Sequence, residues 1–335
     1  MGRFTHVNQR RKGLLFPLLK GLQLGALIAL ALVVLVPLLW LVSTSLKGPE
    51  ENIFSSPPVL LPAWLWEWQW PIKHWSVWDW PELQWPIKDF SHLLVLQWPI
   101  KHWSFLQWPV EPKLDAYINL FQKNPLTSYL LNSTIVSALA VLANLLFCSL
   151  AAYPLARMRF AGRGLVLGLV VATILIPFQV VMIPLYLLMV QLGLRNTLMA
   201  LVIPQAATAF GIYLLRQSFL AVPAELEEAA RIDGCNRLGT WWNVMIPAAR
   251  ADLITLAMFV FIGTWSDFLW PLVILDDPSL YTLPLGLQQL ASSSFSFDWR
   301  IVAAGSVVSI LPVLALFILL QRFILPSATG DAVKG

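Results

Sequence analysis

With 335 residues, of which 58% are hydrophobic and 12% charged, the chain is far too apolar for a soluble globular protein of its length. Its net charge of +4 is distributed in a pattern that reports membrane topology and argues against nucleic-acid binding. Cys148 and Cys235 have neither the spacing of a disulfide framework nor that of metal ligands, so both are expected to be ordinary small residues.

Long stretches without charged residues predict six transmembrane helices, because a helix needs about 20 apolar residues to cross a bilayer. Helices are the expected spanning form, since backbone polar groups in lipid must find their partners within the segment. One stretch is interrupted by a single charge, that of Asp267. The predicted spans are 21–46, 129–153, 165–191, 197–219, 253–275 and 301–323. The expected fold is therefore an all-α polytopic membrane protein.

The first span follows a basic N-terminal stretch and is predicted to be a retained anchor. Residues 22–46 are too long for the hydrophobic region of a signal peptide, and they lack a small-residue cleavage site where one is expected. With the N-terminus in the cytoplasm, most other arginines fall on cytoplasmic segments, as the positive-inside rule requires. Residues 1–46 then hold the cytoplasmic N-terminus and the first helix. The loops at 154–164 and 220–252 and the tail at 326–335 are expected to be cytoplasmic as well.

The extracytoplasmic loop at 47–128 is unusually rich in tryptophan, with 11 of the 17 in the chain. A short unit, Gln-Trp-Pro-Ile-Lys, begins at Gln69, Gln84 and Gln97, and a partial copy begins at Gln107. The units are too short and too unevenly spaced for a solenoid. The mixture of tryptophan and lysine suits a membrane–water interface. Interfacial packing, docking of an extracytoplasmic partner and carbohydrate stacking remain open as alternatives for this insertion.

The cytoplasmic loop at 221–250 is predicted to be a helix-turn-helix. Pro223 fits the first turn of a helix, three glutamates follow at its positive N-terminal end, and Gly234 supplies a stop. These signals predict a helix over 223–233. A second helix is predicted before Pro247, because apolar residues recur there at helical spacing. They are Leu238, Trp241, Trp242 and Met245, on one predicted apolar face. The alternative is a helix that lies on the membrane surface.

One face of the first helix in this loop is predicted to be small and apolar. Leu226, Ala229 and Ala230 fall on that face at helical spacing. Because two alanines leave little bulk, a groove on another protein is able to approach the helix closely. The sequence therefore predicts a docking surface on the cytoplasmic side.

This loop resembles the EAA loop of permease subunits in binding-protein-dependent ABC importers. The match runs over Glu228-Ala229-Ala230-Arg231-Ile232-Asp233-Gly234 and continues at Ile246-Pro247. Other segments within 120–335 resemble the shorter of the two permease subunits in carbohydrate importers of the maltose-permease type. They are Asn132-Ser133, Ala151 to Arg157, Ile183 to Tyr186, Trp265 to Pro271, Gln321-Arg322 and Ala332 to Gly335. Cys235 replaces a usual alanine, Ser266 replaces a common asparagine, and the tryptophan-rich segment 64–109 has no counterpart.

The resemblance implies a heteromeric importer in the bacterial inner membrane, with this chain forming half of the transport pathway. Its expected partners are a second, homologous permease subunit, two cytoplasmic ATPase subunits, an extracytoplasmic solute-binding protein, a sugar and membrane lipid. The chain has no GxxxxGK[ST] loop, so it is not expected to be the ATPase. It is therefore expected to be non-catalytic and to hold no cofactor, with ATP and magnesium bound by the ATPase subunits. Coupling to the ATPase is expected at Glu228, Ala229, Ala230, Asp233, Gly234 and Pro247.

Residues 129–325 form the expected transmembrane core. Within it, Trp265 and Asp267 are candidates for the transport path, since an ionisable residue inside a span usually faces a cavity. Asp267 alternatively reaches the outer interface. A secondary transporter predicts inverted repeats with intramembrane charge pairs, and a membrane enzyme predicts convergent polar residues within the spans. Neither of these classes explains the cytoplasmic loop. A disaccharide, another oligosaccharide such as a maltodextrin, and a glucosylated polyol remain open as substrates.

Overall fold

The computed structural model describes residues 5–48, 113–293 and 298–329. The regular elements in these three ranges are all helices, which confirms the predicted all-α class. The tryptophan-rich repeats at 64–109 lie outside the described residues, so the alternatives for that insertion stay open.

Three of the described helices are long enough to cross a membrane, and the others are shorter. Two long helices stand at the ends of the described chain, α1 (Thr5–Ser45) and α14 (Trp299–Thr329). Between them lie α2 (Asp115–Lys123), α3 (Leu126–Arg157), α4 (Arg163–Ile174), α5 (Phe178–Gln191), α6 (Met199–Val202), α7 (Ala209–Ala221), α8 (Ala224–Ile232), α9 (Arg237–Thr240), α10 (Ile246–Ala248), α11 (Arg250–Trp265), α12 (Leu269–Ile274) and α13 (Leu283–Ser293).

The chain divides into two compact units. The first contains residues up to 119 together with 298–307, and the second contains 120–297 together with 308–335. In the first unit, the backbone N–H of Lys113 donates to the carbonyl of Leu46 at 2.8 Å, and the hydroxyls of Ser45 and Tyr117 lie 2.8 Å apart. These bonds hold the end of α1 against the segment that leads into α2.

Three helices are each long and apolar enough to cross a membrane. They are Gln23–Ser45 within α1, the whole of α3, and Trp299–Phe323 within α14. Three further helix pairs are bent at a short break, so the described residues offer up to six candidate spans. These pairs are α4 with α5, Met199–Gln205 with α7, and Arg237–Ala248 with α11, the last bent by 81°. The structure thus supports a multi-pass membrane protein, but three of the predicted spans are not single straight helices.

The predicted span at 165–191 is two helices, α4 and α5, that meet at 104°. Pro177 explains the break, because a proline disfavours helical geometry in the residue before it, Ile176, and has no N–H to donate. Pro177 instead takes the extended conformation that precedes the first residue of α5. The sequence predicts a kinked span here, because Pro177 and Pro184 lie within it, and the structure shows a sharp break at Pro177.

The predicted span at 197–219 bends by 43° between Gln205 and α7. Polar side chains satisfy the backbone groups that this break releases. The Asn144 amide on α3 donates to the carbonyl of Gln205 at 2.7 Å, and the Thr208 hydroxyl accepts from the N–H of Gly211 at 3.2 Å. A break inside lipid is tolerated where such partners exist.

The predicted span at 253–275 also ends early, since α11 stops at Trp265 and α12 begins at Leu269. The Ser266 hydroxyl donates back to the carbonyl of Ile262 at 2.6 Å, which satisfies a carbonyl at the end of α11. Pro271 lies in the first turn of α12, where a proline is tolerated because that N–H has no helical partner.

The central element of the second unit is α3, which packs closely against α7 and α11. Its inward face is built from small and polar side chains, and these allow close approach between helices. Buried members of this face include Ser133, Ser137, Ala140, Asn144, Cys148 and Ala152. The core around the C-terminal half of α3 adds Leu215, Phe219, Met245 and Leu256 from the neighbouring helices. The C-terminal end of α3 therefore lies in a well-packed environment.

The orientation of the chain in the membrane is a testable prediction. We expect Ser279→Cys to react with a membrane-impermeant thiol reagent from the outside, and Ala161→Cys, close to Arg163, to react only after the membrane is opened. Both positions are exposed. The background should carry Cys235→Ser, because Cys235 is partly exposed, whereas Cys148 is buried and can stay. The reverse labelling pattern contradicts the predicted topology.

Candidate functional site

The first helix of the loop at 221–250 forms where the sequence predicts it. Pro223 occupies the N-cap position of α8, and Glu225 and Glu227 lie in its first turn, where carboxylates favour the positive end of the helix dipole. At the other end Gly234 takes a φ of 85°, in the left-handed region. Its N–H donates to the carbonyl of Arg231 at 3.1 Å, and the N–H of Cys235 donates to the carbonyl of Ala230 at 2.9 Å. These two bonds form a Schellman motif, which fixes the direction of the chain after α8.

The second half of the loop differs from the single regular helix that was predicted. Asn236 caps α9 through its side-chain oxygen, which accepts from the N–H of Gly239 at 2.7 Å. A π-helical turn, Trp241–Met245, then interrupts the helix before α10. The wider i to i+5 spacing of that turn rotates the side chains away from the predicted common face. Trp241 and Met245 are buried, whereas Leu238 and Trp242 are 64% and 62% exposed.

One carboxylate that sequence reasoning missed, that of Glu227, joins α8 to the C-terminal end of α3. Its side chain is 8% exposed and its Oε1 accepts from the Tyr153 hydroxyl at 3.2 Å. The same oxygen accepts from Nη2 of Arg231, one turn further along α8, at 2.8 Å. Its Oε2 lies 3.8 Å from Nε of Arg157, an ion pair that is too long for a hydrogen bond. We call Tyr153, Arg157, Glu227 and Arg231 the loop anchor.

The loop anchor also holds the start of α8. Nη2 of Arg157 donates a hydrogen bond to the carbonyl of Val222, in the connection between α7 and α8. Nε of Arg216 on α7 donates to the carbonyl of Leu155 on α3 at 3.0 Å. The ring of Tyr153 packs edge-on against Phe219, with centroids 6.4 Å apart. Three helices are therefore tied together at this end of the second unit.

The residues predicted to contact the ATPase do not all share one face of the loop. Glu228, Ala229, Asp233, Gly234 and Pro247 are exposed, but Ala230 is 6% exposed and faces into its own chain. The expected face of Leu226, Ala229 and Ala230 therefore divides, because Glu227 and Ala230 point inward together. Ile232, at 86% exposure, adds an apolar group to the outer surface.

The two candidates for the transport path, Trp265 and Asp267, lie at the end of α11 and in the break that follows. Trp265 is 3% exposed, its ring stacks on Phe261, and its indole N–H donates to the carbonyl of Ser309 at 3.0 Å. Oδ1 of Asp267 accepts from the backbone N–H of Trp270 at 3.3 Å and so helps to begin α12. Both contacts support local structure, and a role in the transport path stays a prediction.

No group of three or more metal-ligating side chains occurs within the described ranges. The two cysteines that the sequence singled out lie apart, with Cys148 buried beside Asn144 and Thr208 and Cys235 partly exposed in the loop.

Comparison with known proteins gives a consistent result. A family profile described as "Binding-protein-dependent transport system inner membrane component" matches residues 126–329. The arabinooligosaccharides transport system permease protein AraQ of Halalkalibacterium halodurans is 37% identical over 223 residues, which are 66% of this chain and 80% of that protein. The sulfoquinovosyl glycerol transport system permease protein SmoH of Agrobacterium fabrum is 34% identical over 226 residues, which are 67% of this chain and 79% of that protein.

The fold is also that of a solved transporter chain. A chain from the crystal structure of a bacterial ABC transporter for import of the acidic polysaccharide alginate superposes with a TM-score of 0.68 at 23% identity. The superposition covers 93% of this chain and 97% of that chain. The family profile runs from the start of α3 to the end of α14, more than half of the sequence. The predicted resemblance to permease subunits of binding-protein-dependent importers is thereby confirmed, and the chain belongs to the family of binding-protein-dependent transport system inner membrane components.

Proposed function

We propose that this chain is the permease subunit of an ATP-driven sugar importer in the bacterial inner membrane. It forms half of the translocation pathway, and a second, homologous permease subunit forms the other half. Two cytoplasmic ATPase subunits hydrolyse ATP, and an extracytoplasmic solute-binding protein delivers the sugar. The chain itself carries no catalytic step.

The observation that carries this proposal is the cytoplasmic helix α8, which is exposed on one side and anchored on the other. Its outer surface presents Glu228, Ala229 and Asp233 to the cytoplasm, and Gly234 fixes the turn beside them. Its inner surface is tied to α3 through Glu227. A loop that is held rigidly and offers a free face is suited to pass movement between a cytoplasmic partner and a membrane helix.

The individual coupling residues have different expected roles. Glu228, Ala229, Asp233 and Pro247 are exposed and are proposed to contact the ATPase subunit directly. Ala230 is buried, so its contribution is through the backbone, because its carbonyl accepts the N–H of Cys235 in the helix stop. Gly234 sets the direction in which the rest of the loop leaves α8.

The substrate class rests on the relatives. AraQ is named for arabinooligosaccharides and SmoH for sulfoquinovosyl glycerol, a glycoside of a polyol. The shared chemistry is a glycosidic unit larger than a free monosaccharide. We therefore propose a di- or oligosaccharide or a glycosylated polyol as the transported molecule.

The decisive experiment is a cross-link in the complex purified with all its subunits. In a Cys235→Ser background, Ala229→Cys should cross-link to the ATPase subunit through a short thiol-reactive linker. Ala230→Cys is the matched control, since it is the adjacent alanine but is 6% exposed, and it should cross-link weakly. Vesicles with the same complex should take up sugar only with ATP inside and loaded binding protein outside.

Two outcomes would remove the proposal. Uptake that proceeds without ATP and follows an ion gradient would indicate a secondary transporter. If Ala229→Cys forms no cross-link in a complex that still contains both subunits, the loop does not contact the ATPase subunit as proposed.

A further inference from the structure

We propose that Glu227 is a positioning residue that makes the cytoplasmic loop and α3 move as one body. This inference rests on the proposed function, because it concerns how movement of the loop reaches the membrane helices. The residue lies next to the outward-facing Glu228 but points the opposite way, into the chain. Its effect is exerted through the other members of the loop anchor, Tyr153, Arg157 and Arg231.

The geometry places three partners around one carboxylate. Tyr153 and Arg231 both donate to Oε1, at 3.2 and 2.8 Å. Arg157 supplies a positive charge 3.8 Å from Oε2. Two of these partners, Tyr153 and Arg157, belong to α3. The contact therefore joins two helices that are distant in the sequence, since Tyr153 and Glu227 are 74 residues apart. A hydrogen bond to an ionised group is stronger than one between neutral groups.

Burial makes this contact stiff. The side chains of Glu227 and Arg157 are 8% and 13% exposed, so water does not readily replace the pairing. A buried charge that loses its partner is strongly unfavourable, and this discourages separation of α8 from α3. The side chain of Arg231 is 63% exposed, so its pairing within the helix contributes much less.

The position of α3 explains why this link matters for transport. This helix is the central element of the second unit and packs along α7 and α11. A displacement of α8 that is passed to the end of α3 therefore reaches the helices that line the core. Without the Glu227 link, the bond from Arg157 to Val222 still holds the segment before α8, but part of a displacement of α8 is absorbed by the loop.

The test compares Glu227→Gln with Glu225→Gln, in the complete complex reconstituted in vesicles. Glu225 is the matched control, because it is a glutamate in the first turn of the same helix but is exposed. The quantity to measure is the number of sugars transported for each ATP hydrolysed. We expect this ratio to fall by about tenfold in Glu227→Gln, since hydrogen bonds to a charged group are worth more than one factor of ten. In Glu225→Gln it should stay within about twofold, as exposed charges contribute little.

A second variant separates positioning from folding. Tyr153→Phe removes one hydrogen bond but keeps the ring that packs on Phe219. If the two residues act as a unit, the transport ratio of the double variant Tyr153→Phe with Glu227→Gln should be close to that of Glu227→Gln alone. Multiplication of the two separate effects would overturn the inference.

The outcomes distinguish the inference from the function on which it rests. A normal ratio in Glu227→Gln overturns the positioning role, and so does a reduced yield of complex with a normal ratio for each assembled complex. In both cases the cross-link from Ala229→Cys to the ATPase subunit would persist, and the proposed function would stand. Loss of that cross-link in the otherwise unchanged complex would count against the function itself.

Discussion

Replacement of Gly234 by valine is expected to reduce sugar uptake by about tenfold while the protein still inserts and assembles. Gly234 has a φ of 85°, and no atom lies within 4 Å of the position that a Cβ would occupy. The effect therefore arises from the backbone, because a left-handed conformation costs a side-chain-bearing residue roughly 1–2 kcal/mol, and more when it is β-branched. Since 1.4 kcal/mol is about a tenfold change in an equilibrium, the native turn becomes about tenfold less populated relative to other turns.

The measurements are uptake and binding-protein-stimulated ATPase activity in vesicles. We expect ATP hydrolysis by Gly234→Val to lose its dependence on loaded binding protein, because the loop after α8 leaves in another direction. Gly234→Asn should retain most activity, as asparagine tolerates the left-handed region. Gly193→Val is the matched control, since Gly193 has a φ of 71° and equal space but lies in the loop after α5. Normal stimulated hydrolysis in Gly234→Val would contradict the role assigned to this turn.

The parts of the loop that the sequence predicts well are those set by local chemistry. Pro223 and the glutamates after it mark the start of α8, and Gly234 marks its end, because each acts on backbone groups within one turn. The six apolar segments could also be predicted from the sequence, because the thickness of the bilayer sets the length of a span. The family resemblance could be recognised for the same reason, as its residues are contiguous in the sequence.

The parts that the sequence did not reveal depend on contacts between distant segments. Periodicity placed Ala229 and Ala230 on a common face, but neighbouring residues on a helix are about 100° apart, and the packing of α8 against other segments decides which of them is buried. Glu227 was counted only as a favourable charge near a helix start. Its anchoring role requires Tyr153 and Arg157, and no local pattern connects those positions.

The breaks in the spans illustrate the same limit. Pro177 signalled a kink, yet the 104° between α4 and α5 also depends on how the two helices pack. Pro204 signalled the break before α7 in the same way, but Asn144, which donates to the released carbonyl of Gln205, lies on another helix and could not be predicted from the sequence. The π-turn at Trp241–Met245 had no signal in the residue spacing. Apolar periodicity predicts that a segment is buried, but not where its axis changes direction.

Replacement of Gly286 by alanine is expected to destabilise the packing of α13 on α3. A Cβ at Gly286 would overlap the ring of Tyr129, which is 3% exposed and lies against Tyr281. The ring therefore cannot move without disturbing its other neighbours. Overpacking of this kind costs about 1–3 kcal/mol. We expect a lower midpoint temperature for unfolding of the purified protein in detergent and a smaller yield of assembled complex.

Two further variants show whether the overlap with Tyr129 is the cause. Gly263→Ala is the matched control, because Gly263 is also a helical glycine, on α11, but its Cβ would meet no atom within 4 Å. It should leave the midpoint unchanged or raise it slightly, since alanine favours a helix over glycine. Replacing the ring by the smaller leucine side chain, Tyr129→Leu, should restore part of the midpoint temperature that the Gly286→Ala variant loses. Tyr129→Leu alone is expected to lower the midpoint, because it leaves a cavity. Additive losses in the double variant would mean that the steric conflict does not exist, and the close approach of α13 to α3 at this point would then be wrong.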